Sequence, residues 1–250
     1  MSGAAAGFGL TIVPDARAMG GAAADAVAAA IHHAPEAAIA VPTGSTPLPM
    51  FEELVGRVRR GELDLSRAHL YCLDEYLGVT ADDPNSLTGW LRRAFLEPAG
   101  VDPTRIHVVP AADADPAAAA ARYEAELAER GGLALAVLGL GPNGHVAYNE
   151  PGTDAESRTR IVSLTPESIA QASAYWEGEL PIPERAITVG VGTLREARRI
   201  VLIVSGAAKA DILRRALQEP MSEAVPASWL RLEGERLTVI ADEAAASRLD

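Results

Sequence analysis

Cysteine is almost absent from this chain of 250 residues. Cys72 is the only one, so no internal disulfide can form, and the chain reads as one folded in a reducing, cytoplasmic setting. A chain of this length buries most of the surface its unfolded form exposes and needs neither a disulfide nor a metal to hold a core. No apolar run reaches the ~18 residues of a membrane span. The start, Met1 to Gly9, is rich in alanine and glycine but lacks a basic segment, so no secretory signal is expected. Lysine is as scarce as cysteine: Lys209 stands alone among 22 basic residues. Wherever any cation would serve, this chain uses arginine. A lone lysine is then either a surface leftover or a place that needs a compact ammonium point charge. Excess positive charge is missing too. The formal net charge of -12 disfavours a general affinity for nucleic acid or anionic membranes. It does not exclude a small anionic substrate, because a few local donors outweigh a distant field screened over ~8 Å.

What is present is a regular alternation. Strand-length apolar runs occur at Leu10–Val13, Ala38–Val41, His69–Leu73, Arg105–Val109, Leu133–Leu138, Ala186–Val191, Arg199–Val204 and Arg236–Ala241. Several are apolar on both faces, as in a parallel sheet covered by helices. Helical patterns lie between them at Asp15–His33, Leu48–Arg60, Ser86–Leu96, Pro116–Arg130, Pro166–Trp176 and Ala208–Gln218. Asp115 and Thr165 each precede a proline and read as N-caps. The alternation predicts one α/β domain over residues 1–250: a doubly wound, mostly parallel sheet with helices on both faces, a Rossmann-like three-layer sandwich. No linker or fixed-period repeat divides it.

In such a sheet ligands bind beyond the carboxyl ends of the strands, where the strand order reverses. Three of those junctions are chemically unusual. The first, Pro42-Thr43-Gly44-Ser45-Thr46-Pro47, combines a permissive glycine, two hydroxyl donors and a proline suited to a helix start. It reads as an anion site on free helix N–H groups, or as an ordinary turn with a Thr cap. It lacks the Gly-Lys-Ser/Thr ending of a Walker loop. The second, Leu73-Asp74-Glu75-Tyr76, sets two carboxylates side by side. Successive strand residues point to opposite sides, so one is expected to face the crevice as a base while the other is structural or paired, unless the segment is simply a solvated acidic turn.

The third junction, Gly139-Leu140-Gly141-Pro142-Asn143-Gly144-His145, matches Gly-x-Gly-x-x-Gly after a strand. The dinucleotide reading fails, because Pro151 and Gly152 follow where a crossover helix should run. What remains is a glycine-rich crossing that carries His145 and, five residues on, Glu150. A carboxylate can orient an imidazole and fix its tautomer for acid–base work near neutral pH. Lys209, just past strand Arg199–Val204, falls on the same sheet edge, which favours a phosphate counter-charge.

These segments, with Ser157-Arg158-Thr159-Arg160 and Ala186 to Thr193, resemble the glucosamine-6-phosphate deaminase/isomerase family, which shares a fold with 6-phosphogluconolactonases. The matches occur in family order over nearly the whole chain, and Gly144 to Gly152 points to deaminases. The resemblance implies that His145 opens the sugar ring with Glu150 as its carboxylate partner. Asp74 would move the proton from C2 to C1, and Gly44, Ser45 and Lys209, with Thr43 beside them, would hold the phosphate. Neither metal nor nucleotide cofactor is implied, since a 1,2-proton shift needs only an acid and a base. Two departures stand out. Asn143 occupies a relay position that is often Asp, and it is expected to hold the imidazole by a hydrogen bond instead. Ala174 stands where a phosphate-binding Arg is usual, which makes Arg158 and Arg160 candidate replacements, or the natural substrate different. Val162 and Ser163 depart from the basic effector site of regulated members, so no amino-sugar activation is expected. A lactonase and a non-catalytic sugar-phosphate sensor are the alternative readings. The sequence leaves open the exact sugar and the number of subunits, a homo-oligomer included.

Overall fold

The computed structural model describes residues 7–173, 176 and 181–250. In chain order the first half runs β1 (Gly9–Val13), α1 (Ala16–His33), β2 (Ala38–Val41), α2 (Leu48–Arg59), β3 (His69–Cys72), β4 (Asp74–Tyr76), α3 (Leu87–Leu91), β5 (Ile106–His107) and α4 (Pro116–Glu129). The second half runs β6 (Leu135–Gly139), β7 (Arg160–Ser163), α5 (Pro166–Ser173), β8 (Arg185–Thr188), α6 (Val191–Arg195), β9 (Ile200–Val204), α7 (Ala210–Gln218), β10 (Leu237–Asp242) and α8 (Glu243–Ala246). Asp15 caps α1 by accepting from Ala18 N, and Asp115 caps α4 by accepting from Ala118 N. Pro47 sits at the N-cap of α2 rather than inside its first turn, and Pro49 takes a first-turn place.

Seven strands form one parallel sheet in the order β1-β10-β9-β6-β2-β3-β5. Strand alternation divides the core in two. Ala40, Tyr71, Leu138, Leu202 and Val239 face one layer, with Tyr123 of α4 and Leu213 of α7. Ile39, Leu70, Val137, Ile203 and Ile240 face the other, with Val27 of α1 and Phe51 of α2. Both faces are buried, which explains why these strands are apolar on both sides. The strand order reverses between β2, whose chain continues to β3, and β6, whose side leads to β9. That is where a crevice opens.

The eight predicted strands do not all join this sheet. The predicted strand Ala186–Val191 becomes β8, which lies in a separate antiparallel sheet of order β4-β8-β7. Asp74 pairs there with Thr188, and Arg160 pairs with Thr188 from the other side. The chain therefore leaves the large sheet at Leu73 and enters the small one at Asp74. Leu73 O still accepts from Val189 N at 2.8 Å, which ties the sheets together at the mouth of the crevice. The predicted helix Ser86–Leu96 also divides, into α3 and a π-helical turn at Arg92–Leu96.

Candidate active site

The three unusual junctions and Lys209 converge on one cleft of about 210 Å³. Its walls include Thr43, Gly44 and Ser45 after β2, Asp74 after β3, Gly139 at the end of β6 with Gly141 and His145 beyond it, and Lys209 after β9. These four strands are adjacent in the sheet, in the order β9-β6-β2-β3. Gly44 has φ +94°, a conformation open to glycine, and this bend brings Thr43 and Ser45 to the amino end of α2. Lys209 ends a 3-10 turn, Ala207–Lys209, that precedes α7. The turn is pinned from behind by Asp242, which accepts Ser205 Oγ at 2.5 Å and Gly206 N at 3.0 Å. Lys209 is the one lysine or arginine among the described residues lining the cleft, and burial lowers its pKa.

Asp74 and Glu75 divide as strand geometry requires. Asp74 lines the cleft and is 6% exposed. Burial first, and the neighbouring Glu75 charge second, push its pKa up to about 7. Such a carboxylate is poised to exchange a proton at neutral pH. Glu75 turns away and accepts from Ser86 Oγ at 2.6 Å, Thr88 N at 2.9 Å and Leu87 N at 3.0 Å. It holds the amino end of α3, whose residues Leu87 and Trp90 form the opposite wall.

His145 depends on the glycines before it. A Cβ on Gly141 would lie 2.1 Å from His145 Cδ2 and 2.2 Å from Nε2, so the ring edge bearing Nε2 lies against bare backbone. Gly144 has φ +91°, and a Cβ there would meet Val225 Cγ1 at 2.8 Å. Ala147, which also lines the cleft, holds φ +50°, a left-handed conformation uncommon outside glycine. Behind the imidazole, Nδ1 lies 3.2 Å from Ser168 Oγ and 3.4 Å from Glu150 Oε2. Burial of Glu150 pushes its pKa up, but the polar groups facing it, His145 first, then Ser168 and Asn143, outweigh it and hold the carboxyl down at about 2. Glu150 is thus a fixed anion, out of the cleft lining and behind the ring.

The structure corrects two expectations. Asn143 does not hold the ring. Its amide nitrogen donates to Glu150 Oε2 at 2.7 Å and Thr165 Oγ1 at 3.1 Å, while its Oδ1 accepts the main-chain N–H of His145 at 3.2 Å. An amide can donate to a carboxylate without competing for its proton, so Asn143 orients Glu150. Arg158 and Arg160 do not replace the missing phosphate arginine. Arg158 pairs with Glu196, and Arg160 donates to Asn149 Oδ1 at 2.9 Å and Thr153 Oγ1 at 3.1 Å, outside the cleft lining. Ala174 lies outside the described residues.

Sequence reasoning missed part of the lining. Ser168, Gln171 and Ala172 all face the cleft from α5, at the i, i+3, i+4 spacing of one helix face. Two polar residues on that face were the available clue. Tyr76 and Tyr148 close the floor, with Tyr148 OH donating to Tyr76 OH at 2.9 Å. Trp176 packs edge-on against Tyr76 at 5.3 Å.

The family model for glucosamine-6-phosphate isomerases/6-phosphogluconolactonase matches residues 14–239. The chain belongs to this family. It is 41% identical to a glucosamine-6-phosphate deaminase of Streptomyces coelicolor over 241 residues, 96% of this chain and 92% of that protein. A monomeric glucosamine-6-phosphate deaminase of known structure superposes with a TM-score of 0.92 at 31% identity, covering 96% of this chain and 99% of that one. A 6-phosphogluconolactonase from Trypanosoma cruzi superposes at 0.76 with 21% identity, covering 96% of each chain, and shares the fold. The family spans both chemistries, so the choice between them rests on the groups that face the cleft. Among the described residues no cluster of three or more His, Cys, Asp or Glu side chains is placed to hold a metal, and no helix is long and apolar enough to cross a membrane.

Proposed function

We propose that this chain deaminates and isomerises glucosamine 6-phosphate to fructose 6-phosphate and ammonia. The observation that carries the reading is Asp74: a buried carboxyl with a pKa of about 7, facing the same cleft as His145. A lactonase needs a base for water but no carboxylate placed to move a carbon-bound proton. The similarity to deaminases over 96% of the chain supports the same choice.

In this reading the phosphate lies on the α2 amino end and Lys209, where helix N–H groups, hydroxyls and an ammonium supply donors. His145 takes the proton of the C1 hydroxyl and returns one to the ring oxygen, which breaks the C1–O5 bond and leaves an open-chain aldehyde. Asp74 then removes the C2 proton. The electron pair moves toward C1, and the aldehyde oxygen takes a proton from the C2 ammonium group, giving an enol-amine. Asp74 returns its proton to C1, so C2 becomes an imine carbon. Water adds to that carbon and ammonia leaves, producing the ketose. Asp74 and His145 end as they began, so the cycle needs no redox partner. Glu150 stays anionic throughout and balances charge that builds on the imidazole.

Incubating the purified protein with glucosamine 6-phosphate and measuring ammonia and fructose 6-phosphate tests the reading. Ammonia release that is lost in Asp74→Asn is the expected result. Hydrolysis of a phosphogluconolactone without ammonia release would replace it with the lactonase reading. Thermal stabilisation by the sugar phosphate without turnover would replace it with a sensor. Substituting Lys209→Ala should raise KM at least tenfold, since a charged hydrogen bond to phosphate is worth roughly 1.5–3 kcal/mol.

A further inference from the structure

The contact between His145 and Glu150 is too long to account for how the ring is held. Nδ1 and Glu150 Oε2 are 3.4 Å apart, whereas a charge-assisted N–H···O bond closes to about 2.7–2.9 Å. Oε2 is already occupied at 2.7 Å by Asn143 Nδ2 and at 3.3 Å by Thr165 Oγ1, and Oε1 receives Thr165 N at 3.3 Å. Ser168 Oγ is nearer the ring, at 3.2 Å from Nδ1, and it lies 3.4 Å from Thr165 Oγ1, which itself reaches Glu150 Oε2 at 3.3 Å. Ser168 is 2% exposed, and its backbone is fixed by donation of its N–H to Thr165 Oγ1 at 3.3 Å.

An ionised carboxylate only accepts, whereas a hydroxyl accepts and donates at once. With Glu150 Oε2 3.4 Å from Nδ1, a lone pair on that nitrogen would face the anion, so Nδ1 carries the proton and the nearer serine oxygen accepts it, while Ser168 O–H turns to Thr165 Oγ1 and the carboxylate beyond it. That places the proton of the neutral ring on Nδ1 and leaves the lone pair on Nε2. Nε2 lies on the ring edge against Gly141, where the cleft begins.

We propose that Ser168 is a positioning residue that joins His145 to the Thr165–Glu150 pair and fixes the Nδ1–H tautomer, so that Nε2 can act as the base. The proposal rests on the ring-opening role of His145 given above. It also explains why the amino end of α5 is built onto the carboxylate: Thr165, at that helix start, contacts both Glu150 and Ser168.

Two measurements test it, and they separate it from the activity itself. The first uses the ligand-free protein with nitrogen-15 histidine and reads the ring shifts of His145 at alkaline pH. Wild type and Ser168→Thr should show one tautomer, protonated at Nδ1, and Ser168→Ala a mixture of the two. The second reads turnover. Ser168→Ala should lose about tenfold to a hundredfold in kcat with KM within about twofold, and Ser168→Thr should recover most of it. In a Glu150→Gln background Ser168→Ala should cost less than about twofold more, because the link is already broken. Unchanged tautomer populations in Ser168→Ala, or losses that multiply in the double variant, would overturn the proposal. Absence of ammonia release in wild type would sink the functional reading alone, since the ring shifts still decide the role of Ser168.

Discussion

At the scale of single residues, the site works by giving two carboxylates opposite environments. Glu150 is surrounded by donors and stays ionised down to about pH 2, while Asp74 has none among the described residues to offset its burial and rises to about 7. The acid limb of kcat/KM should therefore fall near pH 7, with activity lost as Asp74 takes its proton. Glu75 contributes to that value through its charge. Glu75→Gln should move the limb to lower pH, whereas Ser86→Ala, which loosens the same cap of α3 but keeps the charge, should lower Tm without moving the limb. A pH series of kcat/KM on both variants distinguishes charge from structure. Gly141→Ala should displace the imidazole, because its Cβ would come within 2.2 Å of Nε2. A loss of kcat of at least a hundredfold in a folded protein is expected, read by turnover beside circular dichroism.

At the scale of elements, the proposed phosphate site depends on how α2 is held. Gly20 of α1 lies so close to α2 that a Cβ would stand 2.5 Å from Pro49 Cβ and 2.6 Å from its carbonyl carbon. Gly20→Ala must push the start of α2 away and carry the Thr43–Ser45 turn with it. A destabilisation of about 1–3 kcal/mol, seen in urea unfolding, should come with a raised KM. The elements also mark where local pattern lost to long-range pairing. β3 and β4 read as one apolar strand followed by a turn, because nothing in the residues His69 to Tyr76 announces a change of partner. The break at Leu73 is set by β8, more than a hundred residues away, which pairs with Asp74–Tyr76. β7 escaped notice because Arg160–Ser163 is short and its register is given only by pairing with β8.

At the scale of the molecule, the functional carboxyl works against stability. The folded pKa of Asp74 lies above its unfolded value of about 3.9, so the folded state holds the extra proton between those values. Its contribution to stability then falls as pH rises from about 4 to 7, and the full cost is present above that window. Asp74→Asn should raise Tm more at pH 8 than at pH 5 while abolishing ammonia release; calorimetry at the two pH values checks it. Glu150 has the opposite sign. Its lowered pKa stabilises the fold above about pH 4.5, and this is lost as pH falls toward 2. Cys72 adds no redox sensitivity, being buried with its thiol pushed up to about 12.

The seven strands of the parallel sheet, the longer helices and the chemistry of the sheet's carboxyl edge were legible in the sequence, because they follow from local periodicity and from residue types at strand ends. Thr43, Gly44, Ser45, Asp74, His145 and Lys209 could be picked out as a group for that reason, and the fold brings them to one cleft. What holds them was decided only in three dimensions. Asn143 serves Glu150 and not the ring, Arg158 and Arg160 are spent on other partners, and Ser168 arrives beside His145 from a helix 23 positions along the chain. Hydrogen-bond partners are chosen by distance and direction among all groups packed nearby, and sequence spacing carries that information only within a single strand or helix turn.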